Sequence, residues 1–233
     1  MEGSLVAYKV FTNGSVLPAS DVNTYLMDQS TAVFSSSATR AAAITSPVEG
    51  QLTYLEDVNL YQSYNGSDWV SPFGLTLIKT QTIGSAVTSV VVSDVFSADY
   101  ENYKITITGG VGSADSTFTF QLGSQTTGYY GGTLFNVYST NTASASGVNN
   151  GSAFTLVGAL NTAGQSMNLD VTAPFLAART SISAPYARQN TAANGGFTSG
   201  FLNTSDSYTG FTVGLNTGTM TGGTIRVYGY KKA

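Results

Sequence analysis

The chain has 233 residues, 42% of them hydrophobic and only 9% charged, with 13 Asp and Glu against nine Lys and Arg and a net charge of −4. That length can bury a core without staples, and the absence of both cysteine and histidine excludes disulfide scaffolds, Cys- or His-ligated metals, and Ser-His-Asp or Cys-His catalysis. So few cations leave no footprint for nucleic-acid phosphates or an anionic membrane.

Disorder needs high charge and few apolar residues. A charged fraction far below the usual ~25% therefore predicts an ordered protein coated with Thr, Ser, Asn, Gly and Tyr, or partly hidden in an assembly. The opening "MEGSLVAYKVF" lacks the basic and apolar regions of a secretory signal. Apolar runs such as "SVVV" fall far short of the ~20 residues of a membrane span. The expectation is a soluble protein made in a cytoplasm.

Residues 1–73 read as a mixed region of short helices and a β-hairpin. "ASDVNTYLMDQS" predicts a helix capped by Ser20 or Asp21, with Val22, Tyr25, Leu26 and Gln29 on one stripe. Ser37 is the expected cap of a second helix, "ATRAAAI", stopped by Pro47. "GQLTYL" reads as a strand, and "LYQSYNGSDWVS" as a hairpin turning at Asn65-Gly66, with Trp69 just beyond.

Residues 74–233 read as strands throughout. The alternating segments are "AVTSVVVSDVF", "YKITITG", "STFTFQLG", "TLFNVYS", "AFTLVGAL", "SMNLDVTAPF", "TSISA", "GGFTSGFL", "YTGFTVGL" and "TIRVYGYK". Phe118, Phe120 and Leu122 share one face, as do Met167, Leu169 and Val171. Clusters such as "STNTASASGVNNGS" and "RQNTAANGGFTS" read as separators. The pattern predicts a mainly β protein with a jelly-roll-like β-sandwich.

Two N-terminal stretches, "VFTNGSVLPASDVNTYLMDQSTAVF" and "TRAAAITSPVEGQLTYLEDVNLYQSYNGSDWV", resemble docking modules of tail and fibre proteins of tailed bacteriophages. The first matches at Gly14, Val16, Leu17, Ala19, Val22, Asn23, Tyr25, Leu26, Met27 and Gln29. The second matches at Arg40, Ala43, Ile44, Pro47, Glu49, Gly50, Tyr64, Asn65, Gly66 and Trp69. Val95 to Ile105 and Ile225 to Tyr230 are similar to segments of β-rich modules in the same virion proteins. The resemblance implies a non-enzymatic virion component, a homotrimeric short tail fibre or minor tail protein. Residues 1–73 would attach it to other tail or capsid proteins, and the sandwich would project outward to a host surface glycan. A capsid decoration protein is the alternative, and a polysaccharide depolymerase a more distant one.

That resemblance gives the last strand a reading. Ile225 and Val227 would face the core while Tyr228 and Tyr230 meet a second subunit, with Gly229 admitting another backbone. The competing reading packs both tyrosines within their own subunit.

Carboxylate pairs are the remaining catalytic machinery. The candidates are Asp99 with Glu101, Asp170, and Glu56 with Asp57, weighed against plain solvated turns and against calcium ligation. "GGVGS" (Gly109 to Ser113) lacks the Lys-Ser/Thr of a phosphate loop and reads as a hairpin loop. The sequons at Asn13, Asn65, Asn150 and Asn203 read as turns. Tyr129, Tyr130, Tyr186 and Tyr208 stand beside turn residues and are the candidate receptor contacts, since exposed rings stack on sugar faces. No cofactor, metal, nucleic acid or membrane insertion is expected.

Overall fold

The computed structural model describes residues 13–14, 16–22, 30–71, 74–188 and 193–231. The chain divides into two compact units, Met1–Gly74 and Leu75–Ala233. The described residues are mainly β, with a small helical region in the first unit.

The first unit contains α1 (Ala19–Val22), β1 (Ala32–Phe34), α2 (Ser37–Ala43), β2 (Leu52–Leu55), β3 (Leu60–Tyr64) and β4 (Trp69–Val70). Asn23, Tyr25, Leu26, Met27 and Gln29 lie outside the described residues. The cap of α2 is Ser36 rather than Ser37: its Oγ accepts the Thr39 N–H at 3.2 Å, and Thr39 Oγ1 accepts the Ser36 N–H at 3.0 Å. This reciprocal pair satisfies two orphan donors of the first turn. The four strands lie in the order β1-β2-β3-β4, with β1 parallel to β2. Strand β1 escapes the sequence reading because three residues are too few to show a period.

The second unit contains β5 (Leu75–Thr82), β6 (Ser89–Val92), β7 (Tyr100–Thr108), β8 (Val111–Gly112), β9 (Ser116–Leu122), β10 (Tyr129–Val137), β11 (Thr142–Gly151), β12 (Gly158–Asn161), β13 (Gly164–Thr172), β14 (Ser181–Arg188), β15 (Asn194–Leu202), β16 (Phe211–Leu215), β17 (Met220–Thr221) and β18 (Thr224–Lys231). Twelve of these form one antiparallel sheet that forks at β13, and β8 pairs with β17 apart from it. One layer runs β5-β18-β7-β13-β14-β15-β10-β11, the other β12-β9-β16-β6. The fork arises because β13 pairs with β7 along its length, while its other side meets β12 over the first half and β14 over the second. Pro185 lies just past the last β13–β14 pair, Asp170↔Ser183. There β14 has a ladder neighbour on one side only, a position that tolerates proline.

The inward residues of both layers make one core. Tyr103, Ile105, Ile107, Leu169, Val171 and Val227 from the first layer meet Phe118, Phe120, Leu122, Phe211 and Val213 from the second. Eight strands at ~4.8 Å spacing are about 34 Å across and four about 14 Å. The smaller layer therefore leaves part of the larger one uncovered. Burial locates that part: Tyr129 and Leu202 are buried, Phe135 and Val137 half-buried, and no residue of β11 is buried.

Strand β11 corrects the sequence reading, which took "STNTASASGVNNGS" for a separator. With neither face buried, nothing imposes an apolar period on it. Strand β5 was also missed, its Leu75 and Leu77 being exposed. "AFTLVGAL" is only half a strand. Phe154 makes a single bridge to Phe120, and Leu156 turns to φ 58° before β12 begins.

Candidate functional site

Three of the four candidate receptor tyrosines are buried, which corrects their reading as exposed loop aromatics. Tyr129 packs edge-on against Phe154 at 4.9 Å. Its hydroxyl accepts the Leu122 N–H at 2.8 Å and donates to the Gln125 carbonyl at 3.2 Å, pinning the β9–β10 turn. Burial pushes its pKa up to about 12. Tyr186 sits on the inner face of β14 with Ile182 and Ala184, its ring 6.3 Å from Phe135. Tyr208 pairs its hydroxyl with Thr204 Oγ1 at 2.8 Å and packs on Gly123. Burial raises the pKa of both. Turn residues beside these rings announce a bend but do not say which way the ring points.

Tyr130 alone faces outward. It opposes Phe201 across the β10–β15 ladder, and the two rings stack at 5.3 Å and 11°. Phe201, which the sequence did not single out, is 42% exposed. The pair borders an open hollow of ≈ 700 Å³ whose polar edge is Asn149, Ser181 and Ser199. Gly131 and Gly200 line it without adding a side chain. The hollow thus offers aromatic carbon, hydroxyls and an amide, with no charge.

The terminal strand β18 is interior, paired with β5 on one side and β7 on the other. Ile225 and Val227 are buried, while Tyr228 and Tyr230 are half-buried. The Tyr230 O–H donates to Asp170 Oδ1 at 2.6 Å, and Lys104 Nζ reaches Asp170 Oδ2 at 3.3 Å. The hydrogen bond to Asp170, then burial, pushes the Tyr230 pKa up to about 12. Tyr230 therefore finds its polar partner in its own subunit. Tyr228 opposes Leu77 and Lys104, and Leu77 is half-exposed. What comes close at Gly229 is the Tyr100 ring of the same chain: a Cβ there would lie 2.3 Å from Tyr100 Cδ1.

The carboxylates sit in structural settings. Asp99 accepts from Ser97 Oγ at 2.9 Å in the turn before β7, and Tyr103 ties that turn down by donating to the Ser97 carbonyl at 3.0 Å. Glu56 and Asp57 are exposed between β2 and β3. Asp170 holds the Lys104 and Tyr230 contacts described above. Among the described residues no group of three Asp or Glu could hold a metal ion.

In the first unit the motif residues converge. Arg40 of α2 is buried, its guanidinium 4.3 Å from the Trp69 ring centroid, and its Nη1 donates to Gln62 Oε1. Burial lowers its pKa. Trp69 also meets Tyr64 at 5.5 Å. Asn65 Oδ1 accepts the N–H groups of Ser67 and Asp68 at 3.0 and 2.7 Å, and Gly66 takes φ 93°, which closes the hairpin that carries both rings. On the opposite face of this sheet, Val33, Tyr54 and Tyr61 are direct ladder neighbours across β1, β2 and β3. Val33 is 59% and Tyr61 42% exposed.

No family model and no curated protein matches the chain.

Proposed function

We propose that the chain is a structural component of a tailed-bacteriophage virion, made in the host cytoplasm, a non-enzymatic homotrimeric short tail fibre or minor tail protein. In this reading the first unit attaches to a neighbouring tail or capsid protein. The sandwich presents the Tyr130–Phe201 hollow to a neutral host glycan, whose C–H face would lie on the rings while Asn149, Ser181 and Ser199 take its hydroxyls. The observation that carries the reading is the clustering of Arg40, Tyr64, Asn65, Gly66 and Trp69. These are among the residues on which the resemblance to virion docking modules rests, and they join α2 to one hairpin. The Val33–Tyr54–Tyr61 row on the other face of the same sheet, open at Val33 and Tyr61, supplies an apolar face for a partner.

The test is to locate the protein on intact virions with labelled antibody and count its copies. Tail-tip labelling with tens of copies at most is expected. Hundreds of copies over the head would replace the reading with capsid decoration, and absence from the particle would end it. Val33→Asp should leave the fold intact and reduce incorporation into particles at least tenfold.

A further inference from the structure

We infer that the three copies of the proposed trimer meet through the uncovered end of the larger layer, formed by β10, β11 and β15. The inference rests on the trimer reading but locates the contact away from Tyr228 and Tyr230.

Four observations converge on this end. Strand β11 is ten residues long, has no buried residue, and pairs only with β10. One edge and both faces of it are therefore open among the described residues. Second, this edge is undefended from Thr142 to Val148. The opposite edge, β5, carries Lys79 on Val227's side of the sheet, and its ladder slips between Val227 and Tyr228. Charges and bulges of that kind stop a sheet from adding strands. Strand β11 has no charge and no proline, and its ladder is regular from Gly131↔Val148 to Val137↔Thr142, its one slip lying at the far end, between Tyr129 and Gly131 of β10.

Third, no charged residue lies between Asp115 and Asp170, nor in β15. A charged partner would leave its own ions desolvated and unpaired against this surface. A second copy brings no charge and so fits it. Fourth, the end is apolar where it is open. Away from the Tyr130–Phe201 hollow, which stays open, Leu134 is 73% exposed, Phe197 53% and Tyr138 57%. At ~150–250 Å² per ring the two aromatics alone leave roughly 165–275 Å² uncovered.

The geometry suits a closed ring. A cyclic trimer joins two different patches at each contact. The overhang offers both on one element: Leu134 and Phe197 on the outer face, Phe135 and Val137 on the inner. One copy's outer face can lie on the next copy's inner face, with the β11 edges toward the axis.

The test uses the full chain and sedimentation. Leu134→Lys with Phe197→Lys should shift the mass from three chains to one and leave the circular dichroism unchanged. Leu77→Lys, on the far edge strand, should remain trimeric. A trimeric double variant overturns this inference and leaves the trimer reading standing, whereas a monomeric wild type overturns both. If the double variant misfolds, Ala145→Cys decides. The chain has no native cysteine, so each copy carries one thiol and a short bifunctional maleimide should join copies in covalent dimers, whose absence in a trimeric sample overturns the proposal.

Discussion

Tyr129 shows what one hydroxyl does in this core. Its pKa stands near 12 against an unfolded value of ~10. A group whose pKa rises on folding contributes its full stabilisation below the unfolded value and loses it as pH climbs to the folded one. The melting temperature should therefore hold up to pH ~10 and fall steeply toward about 12, with Tyr230 contributing to the same slope. Tyr129→Phe should flatten that slope. At neutral pH it should cost ~1–3 kcal/mol in denaturant titration, because the buried Leu122 N–H loses its acceptor. Gly229→Ala acts through sterics instead. Its new methyl would overlap the Tyr100 ring, and overpacking of this kind costs ~1–3 kcal/mol.

Among the elements, β18 is paired along both of its edges. Ending the chain after Thr224 removes a strand with two ladders and strips partners from buried groups of β7. Each orphaned group costs ~1–3 kcal/mol and the loss of buried Ile225 ~2–5 kcal/mol more, against a total of ~5–15 kcal/mol. The truncated protein should show no cooperative melt, and a melt like that of the full chain would reduce β18 to a loose tail. The strands legible in the sequence are those with one buried face. Phe118, Phe120 and Leu122 announce β9 because all three meet the core. Strand β11 was illegible for the opposite reason, since a strand with two open faces selects only against charge and bulk. The candidate site divides the same way. The Asn65-Gly66 turn was readable from local chemistry, but Phe201 becomes a neighbour of Tyr130 only through a ladder that joins residues far apart in the chain.

For the whole molecule, the division at Gly74 and Leu75 predicts that residues 75–233 form a cooperative unit. Calorimetry of that fragment should reproduce one transition of the full chain, and an unfolded fragment would show that the first unit is needed to complete the core. Within this unit the slot between β5 and β7 is filled by β18, which is the last of its strands to be synthesised. At ~5–20 residues per second a ribosome needs on the order of 10–30 s to travel from one side of that slot to its filler. Throughout that interval each growing chain holds two strands whose shared partner does not yet exist. Neighbouring ribosomes on the same message carry identical chains with the same vacancy. The arrangement that secures the finished sheet therefore makes crowding on the message a hazard, and slowing initiation should raise the yield of correctly folded protein.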